Sequence, residues 1–155
     1  MACSASGAPC AEPRDAGPLD RVAGRVARAA RAACREGPGF PGWSRAEWIR
    51  RLTGDDDFLP EASLCVAVDG EPAGFVVAGA GHIDQVGVVS ARRRLGLASA
   101  LVLESTARMR AQGARLARLH VNVNNPGALA AWRQLGWRIV GRRGRFVRVR
   151  TGAGL

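Results

Sequence analysis

The segment Val86-Gly87-Val88-Val89-Ser90-Ala91-Arg92-Arg93-Arg94-Leu95-Gly96-Leu97-Ala98 constrains the fold more than any other part of the chain. A β-branched run ends, three arginines follow, and Gly-x-Ala opens a long helical pattern. That order reads as a strand, a basic turn and a helix N-terminus. Such an N-terminus presents unpaired backbone N–H groups and a partial positive charge, so it is a natural seat for phosphate. Small residues at 96 and 98 let a ligand approach the backbone closely.

The rest of the chain supplies the frame for this segment. A length of 155 residues suits one domain. Residues 1–18 are rich in Ala, Gly, Pro and Ser and lack apolar periodicity, so they read as an N-terminal tail. Residues 19–150 read as a single domain and 151–155 as a C-terminal tail. Val22, Val26, Ala29 and Ala33 recur at helical spacing and predict a helix from Leu19 to about Arg35. Ser44 and Glu47 form a capping box for a short helix ending near Leu52. Strands are predicted over 63–68 and 73–78, joined by the turn Asp69-Gly70-Glu71-Pro72, and over 82–89. Leu97 to about Gln112 is a helix with Ala98, Leu101, Val102, Ser105 and Met109 on its inner face, ended by Gly113. A strand over 116–123 follows. Asn125 and Pro126 then mark the N-cap and first position of another helix, with Trp132 facing inward. Trp137–Val140 and Phe146–Val149 are expected to close as a hairpin. The order α-α-β-β-β-α-β-α-β-β implies an α/β (α+β) fold with a mixed, mostly antiparallel sheet and helices on both faces.

Composition narrows the function. The net charge is +10, with Arg supplying every basic side chain and no Lys. Such a chain favours polyanions, although Arg, Ala and Gly abundance also tracks a GC-rich genome. No apolar run approaches the ~20 residues of a membrane span, and the N-terminus lacks the basic start and apolar core of a secretory signal. Cys3, Cys10, Cys34 and Cys65 form no C-x-x-C pair, and only His82 and His120 could join them in a metal site. A reduced, cytoplasmic protein without a metal is the expectation.

Arg93-Arg94-Leu95-Gly96-Leu97-Ala98 has the form [Q/R]-x-x-G-x-[G/A] and follows Val86-x-Val88 at close spacing. About thirty residues later comes Asn125-Pro126-Gly127-Ala128-x-x-x-Trp132-x-x-Leu135-Gly136-Trp137. With both motifs in this order, the region from about Leu64 to Val149 resembles the GNAT superfamily of acyl-CoA N-acyltransferases. The resemblance implies a V-shaped splay between the central strands and acetyl-CoA as co-substrate. It also implies roles for named residues. The backbone of Val86, Gly87 and Val88 would pair with the pantetheine arm and thioester carbonyl. Arg93, Arg94, Leu95, Gly96, Leu97, Ala98 and Ser99 would hold the pyrophosphate, and Asn125 would touch the pantetheine. The implied reaction is direct attack of a primary amine on the thioester, the acceptor being a small-molecule or protein amine. Backbone N–H groups would stabilise the oxyanion.

His82 and Asp84 are the candidate bases. They alternate along the strand with Val86 and Val88, which predicts a shared face. A histidine is the usual choice for proton transfer near neutral pH. His120 and Asn122 alternate on the next predicted strand and are candidates to face the acceptor amine. For each of these four, an ordinary half-exposed polar position is the competing reading. The chain departs from the family at Trp132, where many members carry a Tyr that protonates the leaving thiolate. It contains no Tyr at all, and an indole N–H is not a usable acid, so Trp132 reads as a packing residue. A thiolate is already a fair leaving group near neutrality. The first strand usual in the family is also missing, unless a short one lies near Ala8–Glu12.

Two alternatives stand beside the N-acetyltransferase reading. One is a catalytically weak acyl-CoA-binding domain, motivated by Trp132. The other is a nucleic-acid-binding module, motivated by net charge and the Arg142-Arg143-Gly144-Arg145 turn. The scarcity of aromatics outside core spacings argues against the latter. A homodimer is compatible with every reading.

Overall fold

The computed structural model describes residues 18–34, 43–142 and 144. The elements are α1 (Pro18–Cys34), α2 (Arg45–Thr53), β1 (Leu64–Val68), β2 (Glu71–Gly79), β3 (His82–Val88), a single 3-10 turn (Ser90–Arg92), α3 (Leu97–Ala111), β4 (Arg118–Leu119) and α4 (Pro126–Gln134). They fall into a larger unit running to His120 and a smaller one beginning at Val121. Among the described residues, no helix is long and apolar enough to cross a membrane.

In the larger unit the strands lie in the order β1-β2-β3-β4. The β1–β2 and β2–β3 pairs are antiparallel and β3–β4 is parallel, so the mixed, mostly antiparallel sheet is as the sequence predicts. The β1–β2 turn is tighter than expected. Asp69 and Gly70 alone make it, both at positive φ (55° and 80°), which is the demand of a two-residue type I′ hairpin. Glu71 and Pro72 are already in the strand.

Strand alternation assigns the two faces. Phe75 and Val77 join Val26, Ala27, Ala29, Ala30 and Ala33 of α1, and Trp48 and Leu52 of α2, in one buried cluster. The Trp48 ring meets Phe75 edge-on at 6.3 Å and 82°. Gly74 lies on the opposite face, where a Cβ would touch Leu101 of α3 at 3.2 Å. Helices therefore cover both faces. On α3, Leu101, Val102, Ser105 and Met109 are buried, at the predicted positions. The Ser105 hydroxyl donates to the Ala62 carbonyl at 2.7 Å.

The α2 capping box is complete. Ser44 N–H donates to Glu47 Oε2 at 2.7 Å, and Glu47 N–H donates to Ser44 Oγ at 3.2 Å. Hydrogen bonding of the carboxylate by the Ser44 backbone N–H and by the Ser44 hydroxyl, with Arg50 and Arg51 nearby, holds the Glu47 carboxyl below the usual carboxylate range.

Two expected strands fall short. Of 116–123, only Arg118 and Leu119 pair, opposite His82 and Ile83. A strand needs a partner as well as an alternating pattern, and the apolar ends Leu116 and Val123 are 61% and 70% exposed. Trp137–Val140 is not a strand, and Ile139 and Val140 are likewise exposed. Its expected partner, Phe146–Val149, lies outside the described residues, as does the Ala8–Glu12 segment.

Candidate functional site

The loop from β3 to α3 has the features of an anion seat. Arg94 and Gly96 both sit at positive φ (64° and 77°). Gly96 is the N-cap of α3 and its carbonyl accepts from Ala100 N–H at 2.9 Å, but among the described residues no side chain caps this helix. Among the described residues, no carbonyl accepts from the N–H groups of Arg94 through Ser99. Backbone turns of this kind gather successive N–H groups into an anion-binding concavity, and the α3 dipole adds to it. A Cβ at residue 96 would meet nothing within 4 Å, so the backbone there is open to a ligand.

The arginines divide the work. Arg92 is tied to the β1–β2 turn by a 2.9 Å ion pair with Asp69. Arg93 folds back and donates from Nε to the Val88 carbonyl at 3.1 Å. Arg94 is exposed. Sequence reasoning found all three but not the partners of the first two, which are distant or on the backbone.

The strand leading into this loop has a free edge. The β3–β4 ladder stops at Ile83–Leu119, so from Asp84 to Val88 the described residues give β3 a neighbour on the β2 side only. An extended chain could add there by backbone pairing. Gly87 has a structural reason to be glycine, since a Cβ would lie 2.6 Å from the Phe75 ring and 3.3 Å from Ala33.

The expected common face of His82, Asp84, Val86 and Val88 is a correction. Val77 pairs with Gln85, but Ala78 pairs with Ile83. Asp84 is thus the extra residue of a β-bulge, a device that re-aims side chains. The slip moves His82 and Gln85 to the α1 face with Gly87, while Val86 and Val88 share the α3 face. Asp84 is exposed. The Oε1 atom of Gln85 is buried and has no hydrogen-bond partner among the described residues, a feature no sequence signal marked. His82 Nδ1 lies 3.5 Å from the Ala80 carbonyl.

Comparison with known proteins decides the family. The profile of the Acetyltransferase (GNAT) family matches residues 29–137, which includes the loop and both motifs. The chain belongs to the GNAT acetyltransferase family. Solved GNAT structures share its fold. The aminoglycoside acetyltransferase AAC(6')-Iy, in complex with a CoA-containing bisubstrate analogue, superposes with a TM-score of 0.62 at 18% identity, covering 80% of this chain and 91% of that one. Ard1 from Thermoplasma volcanium gives 0.62 at 22% identity, covering 83% and 82%. The aminoglycoside acetyltransferase meta-AAC0020, from an uncultured soil metagenomic sample and in complex with sisomicin, gives 0.61 at 12%, covering 81% and 86%. No curated protein matches.

The remaining GNAT candidates lie at or beyond the end of the larger unit. His120 follows β4 and is exposed. Asn122 is not in a strand: its Oδ1 accepts from Asn124 N–H at 2.9 Å and its carbonyl from Asn125 N–H at 2.9 Å. The expected alternation of His120 with Asn122 therefore fails, because the strand ends at Leu119. Asn125 caps α4 as predicted, its Oδ1 accepting from Ala128 N–H at 3.1 Å. Trp132 is 9% exposed and meets Trp137 edge-on at 6.4 Å. That contact and its burial give Trp132 a packing role.

Proposed function

We propose that this GNAT protein is an acetyl-CoA-dependent N-acetyltransferase acting on a primary amine. The observation that carries the reading is the run of N–H groups from Arg94 to Ser99 without carbonyl partners, at the N-terminus of α3. These groups suit the CoA pyrophosphate, and the free β3 edge from Asp84 to Val88 suits the amide-bearing pantetheine arm. When bound, acetyl-CoA supplies the thioester carbon: an N–C bond forms, the C–S bond breaks and CoA leaves as thiolate.

His82 is the base in this reading: it takes a proton from the substrate ammonium, and the lone pair of the resulting neutral amine attacks the thioester carbon, the second amine proton passing to solvent or the departing thiolate. It stands on the α1 face with Gln85, whose buried Oε1 has no hydrogen-bond partner among the described residues. Asp84, exposed on the bulge, is the second candidate. The acceptor class is a small-molecule or protein amine. Structural relatives that include aminoglycoside acetyltransferases make aminoglycosides the first amines to try. Without a Tyr in the chain, the thiolate leaves unaided or takes a proton from water.

The test is release of free thiol from acetyl-CoA against an amine panel that includes sisomicin. His82→Ala should lower kcat by about 10²-fold or more, while Asp84→Ala leaves it nearly unchanged. The reverse ranking would transfer the role to Asp84. Tight acetyl-CoA binding without thiol release for any amine would leave an acyl-CoA-binding domain, the reading that Trp132 favours.

A further inference from the structure

We infer that Gly79 is a positioning residue for His82, holding the imidazole over the end of β2 so that Nε2 is the nitrogen left to take a proton. Gly79 ends β2, is buried, and pairs directly with His82 across the hairpin. A glycine inside a buried strand weakens it and marks a close approach. Here the approach is the imidazole. A Cβ at residue 79 would collide first with His82 Cε1, and would stand 2.6 Å from Nε2 and 2.9 Å from Nδ1.

The backbone beneath the ring is fixed on both sides. Ala78 N–H donates to Ser63 Oγ at 3.0 Å and its carbonyl accepts from Leu59 N–H at 2.8 Å. Phe58 bridges Gly79, and Ala80 N–H donates to the Asp57 carbonyl at 2.8 Å. With β2 clamped by the 57–63 segment, a side chain added at 79 must displace the imidazole rather than the strand. The displaced ring loses its place beside the Ala80 carbonyl, the acceptor that favours the Nδ1–H tautomer.

The inference rests on the reading of His82 as the base, and the experiment separates the two. Gly79→Ala, His82→Ala and the double variant are compared in the full chain with acetyl-CoA and sisomicin. Gly79→Ala should lower kcat about tenfold to a hundredfold with the acetyl-CoA dissociation constant unchanged, and should cost nothing further in the His82→Ala background. An unchanged kcat, or an equal loss in both backgrounds, overturns the inference. The ring is also read directly by ¹⁵N NMR. Wild type should show the Nδ1–H tautomer and Gly79→Ala a shifted Cε1–H resonance with a mixed tautomer. An imidazole unaffected by the substitution overturns the positioning role even if no amine is turned over. A wild type that transfers no acetyl group, yet shows the tautomer change, contradicts only the proposed reaction.

Discussion

Arg93 is bonded to the strand that leads into it: its Nε donates to the Val88 carbonyl at 3.1 Å, closing the turn between β3 and α3. The bond ties the free edge of β3 to the unpaired N–H groups at the head of α3. A single hydrogen bond contributes about 1 kcal/mol net, and most of that should appear as ordering of the loop. Arg93→Ala should therefore weaken acetyl-CoA binding about fivefold, measured by isothermal titration calorimetry. Arg93→Lys should not restore it, because a lysine has no Nε–H at that point of the side chain.

Ser63 holds the end of β2. Its hydroxyl donates to Leu59 O at 2.8 Å and accepts from Ala78 N–H at 3.0 Å, at 4% exposure. Ser63→Ala leaves the buried Ala78 N–H without a partner, a loss of about 1–3 kcal/mol. Urea unfolding should show a lower midpoint with an unchanged slope.

The Glu47 carboxyl titrates below its ordinary range because Ser44 N–H and Ser44 Oγ bond to it, with Arg50 and Arg51 assisting. A carboxyl depressed in the folded state stabilises the fold above its unfolded pKa, and that contribution is lost as pH falls through the lower folded value. Wild type should therefore lose stability on acidification below about pH 4.3 by more than Glu47→Gln does. The comparison is thermal unfolding of both proteins between pH 6 and pH 3. Ser44→Ala, which removes the N-cap acceptor, should cost about 1 kcal/mol at pH 7.

Local chemistry was legible in the sequence wherever neighbouring residues decide it. Ser44 with Glu47, Asn125 with Pro126, and the buried face of α3 each declare themselves within one or two turns of helix. The helix start at Gly96 was legible for the same reason, since the turn and the first turn of α3 are contiguous. Features set by partners far along the chain were hidden. An alternating pattern runs unbroken through His82, Asp84 and Val86, so the bulge at Asp84 appears only when β3 is laid against β2. Leu116–Val123 alternates as a strand should, but only Arg118 and Leu119 find a ladder. The unpartnered Oε1 of Gln85 and the contact of Gly79 with His82 belong to tertiary packing and leave no local trace, apart from a glycine ending an apolar strand.

The α3 N-terminus is the proposed acetyl-CoA phosphate seat, and Gly96 is its most sensitive point. Its φ of 77° disfavours any side chain, yet a Cβ there meets nothing within 4 Å. Gly96→Ala should fold with a loss of about 1 kcal/mol and retain weakened binding. Gly96→Glu sets a carboxylate where the pyrophosphate should lie. The decisive measurement is the thermal shift of wild type, Gly96→Ala and Gly96→Glu on titration with acetyl-CoA. A rise in Tm that grows with ligand concentration for wild type, is reduced in Gly96→Ala and is absent in a folded Gly96→Glu is the predicted result. No shift of wild type at millimolar acetyl-CoA, or an equal shift in Gly96→Glu, would contradict a phosphate seat at the head of α3.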